Sequence, residues 1–180
     1  MLGATRSIFL TFLILVGCRT QHFIPPEEEQ RLPRKVAQAS DRMAIQLQKK
    51  LTQCGIKVVT IGSEYLVSIP ATALFATHSP RLTWESYYLL NLVVEYLKQY
   101  RKVAVTVTGF STPCFSTRRE HALTLARARA VSGYIGSQGI DSRFIFTVGV
   151  GSDKPIVEKI NGCDQSANAR IEITFREAII

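Results

Sequence analysis

At 180 residues the chain has room for one ordinary domain and a tether, and its 46% hydrophobic composition supplies a core. The formal charge of +8 is spread out, with no run of five or six Lys or Arg and no interleaved aromatics, which argues against a nucleic-acid partner and for an anionic envelope surface. Four cysteines, Cys18, Cys54, Cys114 and Cys163, show neither a C-x-x-C nor a Cys/His spacing, so no metal site is expected and no cofactor is called for.

Residues 1–17 pass from the positive charge of Arg6 into the apolar stretch Ile8 to Val16, too short to anchor in a bilayer, and read as a signal peptide. The alternative, a buried core helix, is opposed by its terminal position and by the polar Arg19-Thr20-Gln21-His22 that follows. Leu15-Val16-Gly17-Cys18 resembles the bacterial lipobox, which implies cleavage before Cys18 and acylation of its thiol. One acyl chain holds weakly, so durable attachment takes more than one. In enteric bacteria an Asp after the acylated cysteine retains a lipoprotein at the inner membrane; Arg19 stands there instead, which implies the outer membrane, with the folded part facing the periplasm. Residues 18–33, with three prolines and the triplet Glu27-Glu28-Glu29, read as the tether.

Residues 34–53 lack Pro and Gly and place Val36, Met43, Leu47 and Leu51 near one stripe, predicting an amphipathic helix that buries this stripe and ends at Cys54-Gly55. Ile56 to Ile61 and Tyr65 to Ile69 are β-rich runs around Gly62-Ser63-Glu64, a hairpin whose second strand Pro70 stops. Residues 83–100 space Trp84, Tyr87, Tyr88, Leu92, Val93, Tyr96 and Leu97 as a helix would, and Trp84 is assigned to the core. Val103 to Val107 alternates as a strand ended by Gly109; a helix over 118–137 closes at Gln138-Gly139; strands Phe144 to Val148 and Arg170 to Phe175 flank a loop rich in Gly, Asp and Asn. The order α-β-β-α-β-α-β-loop-β predicts an α/β sandwich, a mixed sheet with helices packed on one face, after an N-terminal helix and β-hairpin, in one domain over 34–180. Right-handed crossovers would pair the middle strands in parallel.

Five motifs occur in order. They are Leu74-Phe75 with Ser79 and Leu82; Val107-Thr108-Gly109-Phe110-Ser111-Thr112; Leu123-Thr124-Leu125-Ala126-Arg127-Ala128-Arg129-Ala130-Val131; Gly149-Val150-Gly151 with Pro155; and Asn168-Ala169-Arg170-Ile171-Glu172-Ile173. From Leu74 to Phe175 they make the chain resemble the OmpA-like, peptidoglycan-associating domain, whose turn reads V-x-G-[HY]-T-D and whose helix reads L-S-x-x-R-A-x-x-V. Arg127 follows Thr112 by fifteen residues, the family's Asp-to-Arg interval without a gap.

The resemblance implies that an Asp and an Arg grip the diaminopimelate of a peptidoglycan stem peptide, and that Gly109, Phe110, Ser111, Thr112, Leu123, Arg127 and Asn168 lie in the binding region. Arg127 supplies a planar fork for a carboxylate, but Thr112 stands where the Asp belongs. Losing a charged hydrogen bond of about 1.5–3 kcal/mol weakens binding about ten- to a hundredfold. Glu120, seven residues before Arg127 and on the same helical face, is a candidate compensating carboxylate; the alternative is a solvated side chain or one paired with Arg118. The same fold would bring the loops of Cys114 and Cys163 to one end of the sheet, where an oxidising periplasm permits a disulfide. The alternative is three free thiols in the mature chain, with Cys54 buried at a helix end.

Two function classes follow. One is a peptidoglycan-binding lipoprotein that fastens the outer membrane to the wall. The other is a structural subunit of an envelope machine that uses the fold to dock proteins. The lipobox, short tether, Gly109-Phe110-Ser111-Thr112 turn and overall length resemble the OmpA-like lipoproteins of Dot/Icm type IVB secretion systems, which implies other secretion-complex subunits as partners. Copies arrayed in a ring would offset weak single-site wall binding through effective concentration. A thiol hydrolase built from Cys114 and His121 lacks a marked base and oxyanion hole, so no enzymatic activity is expected. His22, His78 and His121 are scattered and receive no role.

Overall fold

The structure, a computed structural model, describes residues 41–100, 102–140, 145–158 and 163–177. The expected signal peptide (1–17), Cys18, the tether (18–33), the helical positions 34–40 with Val36, and Phe144 lie outside the described residues.

In chain order the elements are α1 (Asp41–Gln53), β1 (Lys57–Ile61), β2 (Glu64–Pro70), the single turn α2 (Ala71–Leu74), α3 (Ser86–Lys98), β3 (Lys102–Phe110), α4 (Thr117–Ser137), β4 (Ile145–Gly151), a 3-10 turn (Cys163–Gln165) and β5 (Arg170–Glu177). The sheet runs β1-β2-β5-β3-β4. Strands β3 and β4, joined through α4, pair in parallel as expected of the middle strands, and the other neighbours are antiparallel.

Alternation decides which face is covered. Tyr65, Val67 and Ile69 of β2, Val105 and Val107 of β3, and Ile171, Ile173 and Phe175 of β5 are buried, while the residues between them are half-buried. The covering layer contributes Leu47 and Leu51 from α1, Leu90, Val93, Tyr96 and Leu97 from α3, and Ala128, Val131 and Ile135 from α4. At one end the rings of Tyr65, Phe175 and Tyr100 form a mutually packed cluster, with centroids 4.8 to 5.4 Å apart.

Four expectations need correction. In α1 the buried stripe is Ala44, Leu47 and Leu51; Met43 lies one position off it and is half exposed. Trp84 is not core: α3 starts only at Ser86, so the indole precedes the helical stripe, 85% exposed and edge-on to Tyr87. Tyr88, in the first turn of α3, also faces outward. Gly109 does not end β3 but sits inside it, for a packing reason given below. The fourth is α2, absent from the expected order: Pro70, still extended at φ −57° and ψ 139°, closes β2 in register with Arg170 and is the N-cap of a single helical turn that begins at Ala71.

Candidate functional site

The site lies where the N-terminal half of α4 meets the ends of β3 and β4. Two glycines permit that approach. Gly109 and Gly149 are register partners, and a Cβ on them would fall 2.3 Å from the Thr124 carbonyl oxygen and 2.5 Å from the Leu125 nitrogen. Hydrogen in place of a methyl therefore lets the α4 backbone rest directly on the sheet. The Thr124 hydroxyl, bonded back to Glu120 O, accepts from the Gly151 N–H at 3.0 Å and ties helix to strand end.

Glu120 is neither solvated nor paired with Arg118. It is 2% exposed, and its Oε1 accepts the backbone N–H groups of Cys114 (2.7 Å) and Phe115 (2.8 Å), while Oε2 accepts the Ser152 hydroxyl (2.6 Å). Burial alone would raise its pKa, but these three bonds and the charge of His121 outweigh it and hold the carboxyl below its ordinary value. Glu120 thus clamps the loop before α4 to the loop after β4.

Arg127 is 1% exposed, and each of its three guanidinium nitrogens donates inside the chain. Nη1 and Nη2 donate to the two carboxylate oxygens of Asp164 at 2.8 Å each, and Nε donates to the Ser79 carbonyl at 3.0 Å. This is the fork-to-fork geometry by which arginine holds a carboxylate. The Phe75 ring lies beside the guanidinium, 5.1 Å from Cζ. Asp164 also accepts the His78 N–H at 2.7 Å. Burial opposes its charge, yet the Arg127 and His78 hydrogen bonds and the neighbouring charges of Arg127 and His78 hold its pKa below the ordinary value.

Cys114 and Cys163 are joined by a disulfide, so Cys114 carries no free thiol and Asp164 follows directly on a crosslinked residue. Cys54 is free and half-buried. The imidazole of His121 faces Gly149 O at 3.2 Å and Asp153 at 3.1 Å.

The candidates named from sequence do not form one surface. Ser111, Thr112, Glu120 and Leu123 border, together with Asp164, a void of only about 10 Å3, room for a single water at most. The hydroxyls of Ser111 and Thr112 are buried there without a hydrogen-bond partner among the described residues. Phe110 is buried beneath the Arg170 guanidinium, 3.9 Å from its ring centre. Asn168 acts as a loop clip: Oδ1 accepts the N–H groups of Ile156 and Val157, and Nδ2 donates to Val157 O. Beside the Arg127–Asp164 pair an open cleft of about 340 Å3 is bordered by Thr72, Phe75, Thr77, His78 and Gln165, a volume in the range of small-ligand sites. Asp164 and His78 were not singled out from sequence. Asp164 lies 37 residues beyond Arg127 on another element, and only its place next to Cys163 marked it.

Comparison with known proteins gives a consistent picture. Over 135 residues the chain is 28% identical to "Probable lipoprotein YiaD" of Escherichia coli K12, covering 75% of this chain and 62% of that protein. Over 99 residues it is 30% identical to "Peptidoglycan-binding protein ArfA" of Mycobacterium tuberculosis, covering 55% of this chain and 30% of that protein. The chain thus spans less than two thirds of either relative. Among solved structures, the cell wall anchor of the T6SS from Pseudomonas aeruginosa superposes with a TM-score of 0.64 at 25% identity, over 76% of this chain and 98% of that one. No described helix is long and apolar enough to cross a membrane. With residues 74–169 matching the OmpA family, and a five-stranded mixed sheet carrying helices on one face, the chain belongs to the OmpA family.

Proposed function

We propose that this chain is an outer-membrane lipoprotein, acylated at Cys18, whose OmpA-like domain stands in the periplasm as a structural component of an envelope-spanning type IVB secretion core complex. The lipobox, tether, Gly109-Phe110-Ser111-Thr112 turn and length support this reading through their resemblance to DotK, also called IcmN. The observation that carries a docking role is the engagement of Arg127 by Asp164 of the same chain, with no carboxylate at position 112 to hold an ammonium. A recognition fork already filled from within suits a domain whose main contacts are with protein. Exposed Trp84 and Tyr88, with Tyr87 at their edge, offer the residue types that dominate protein interfaces. The likeness to a structure described as a secretion-system wall anchor supports a place in such a machine.

A second reading is favoured by one feature: Arg127 keeps the bidentate grip on a carboxylate that a wall anchor needs. The test is tagged purification of the full chain from envelopes in detergent. Other core-complex subunits should co-purify with wild type and with Arg127→Ala, and be lost with Trp84→Ala/Tyr88→Ala. Recovery of peptidoglycan alone, abolished by Arg127→Ala, would replace the first reading by the second.

A further inference from the structure

We infer that Asp164 is a built-in ligand of this domain, a carboxylate from the chain's own loop that fills the Arg127 fork and excludes an external carboxylate from it. The inference rests on the reading of the Arg127 fork as the group that would grip a wall carboxylate, and it names what controls that fork. Three observations carry it.

First, the bond pattern is that of bound ligand. The end-on fork of a guanidinium, one parallel N–H from each terminal nitrogen, holds one carboxylate at a time, and Asp164 takes both at 2.8 Å. The remaining edge is turned to Ser79 O, and with Arg127 1% exposed an entering anion reaches the fork only by displacing Asp164.

Second, the occupant is held by its flanks. Cys163, immediately before it, is crosslinked to Cys114, and the His78 N–H fixes one carboxylate oxygen at 2.7 Å. The local concentration of this carboxylate at the fork therefore far exceeds that of a free one.

Third, the arrangement leaves an open place next to it. The cleft of about 340 Å3 has Asp164 on its wall beside Thr72, Thr77 and Gln165, so a peptide bearing a carboxylate and an ammonium on one residue has room to lie against the pair. Such a peptide pays for entry by the fraction of time the fork stands open, and its apparent affinity falls by that fraction.

The test uses the full chain in detergent and, as probe, a soluble muropeptide carrying meso-diaminopimelate, titrated by calorimetry, with circular dichroism to confirm folding. Asp164→Asn should bind about ten- to a hundredfold more tightly than wild type, the gain expected if the fork is open a tenth to a hundredth of the time. Adding Arg127→Ala should remove the gain. Should Asp164→Asn fail to fold with its arginine unpaired, Thr112→Asp restores an anion beside Asp164, and the comparison becomes Thr112→Asp/Asp164→Asn against Thr112→Asp alone. Equal binding within whichever pair folds overturns the inference and leaves the docking role standing. Tight, Arg127-dependent binding by wild type also overturns it, while sustaining the wall-anchor reading.

Discussion

Replacing Glu120 tests whether the loops around the site are held by a buried acceptor. Glu120→Ala removes three hydrogen bonds of 2.6 to 2.8 Å and leaves the N–H groups of Cys114 and Phe115 facing an apolar methyl. Each bond to a charged group contributes about 1.5–3 kcal/mol, and the Ser152 hydroxyl can turn elsewhere, so the expected loss is about 3–6 kcal/mol. Glu120→Gln keeps an oxygen for both N–H groups and offers its amide to Ser152, forfeiting only charge assistance, about 1–2 kcal/mol. Urea denaturation of both variants at neutral pH reads these values from the midpoint shift at unchanged slope. A Glu120→Ala variant within about 1 kcal/mol of wild type would refute the reasoning, since a buried carboxylate with three donors cannot be removed so cheaply. The same Gln variant bears on wall binding: if it binds sacculi as wild type does, Glu120 is a clamp and not a substitute for the missing Asp.

Other outcomes follow from the same geometry. Gly149→Ala should cost about 1–3 kcal/mol or more, because its methyl meets the α4 backbone 2.5 Å away; an unchanged melting temperature would contradict the close approach. Acid should destabilise the fold. Asp164 and Glu120 have folded pKa values below their unfolded ones, so their stabilisation is present above about pH 4 and disappears as pH falls through the folded values; urea midpoints that hold steady from pH 5 to pH 2 would oppose this. Cys114→Ser/Cys163→Ser opens a crosslink across 49 residues and should cost about 4 kcal/mol on the chain-entropy account, and non-reducing peptide mapping of wild type should recover the two cysteines linked. Asn168→Ala should expose the clipped backbone of Ile156 and Val157, seen as faster amide exchange confined to that loop.

Much of the architecture was legible because it rests on local pattern. Alternation located β3, β-rich runs around a glycine located the β1–β2 hairpin, helical spacing located α1 and α3, and the Gly, Pro and Asn punctuation placed the turns and the end of α4. The family resemblance supplied what pattern lacks, the identity of the interval between Thr112 and Arg127. Where local reasoning erred, the cause was also local: a helix starting at Ser86, three residues later than its spacing implied, left Trp84 outside the stripe, and Gly109 read as a stop is instead a contact point for α4.

By itself, then, the sequence determined the order of the main elements and most of the core faces, since each follows from pattern within a few residues, and the family resemblance singled out Arg127. Only the tertiary structure decided what Arg127 and Glu120 touch. Asp164 reaches the guanidinium from a turn 37 residues away, and Glu120 finds its donors in the loop before its own helix and in Ser152 beyond β4. A side chain's charge and shape are written in its residue type. Its partner is set by how the chain returns to it, and burial then requires that some partner be present.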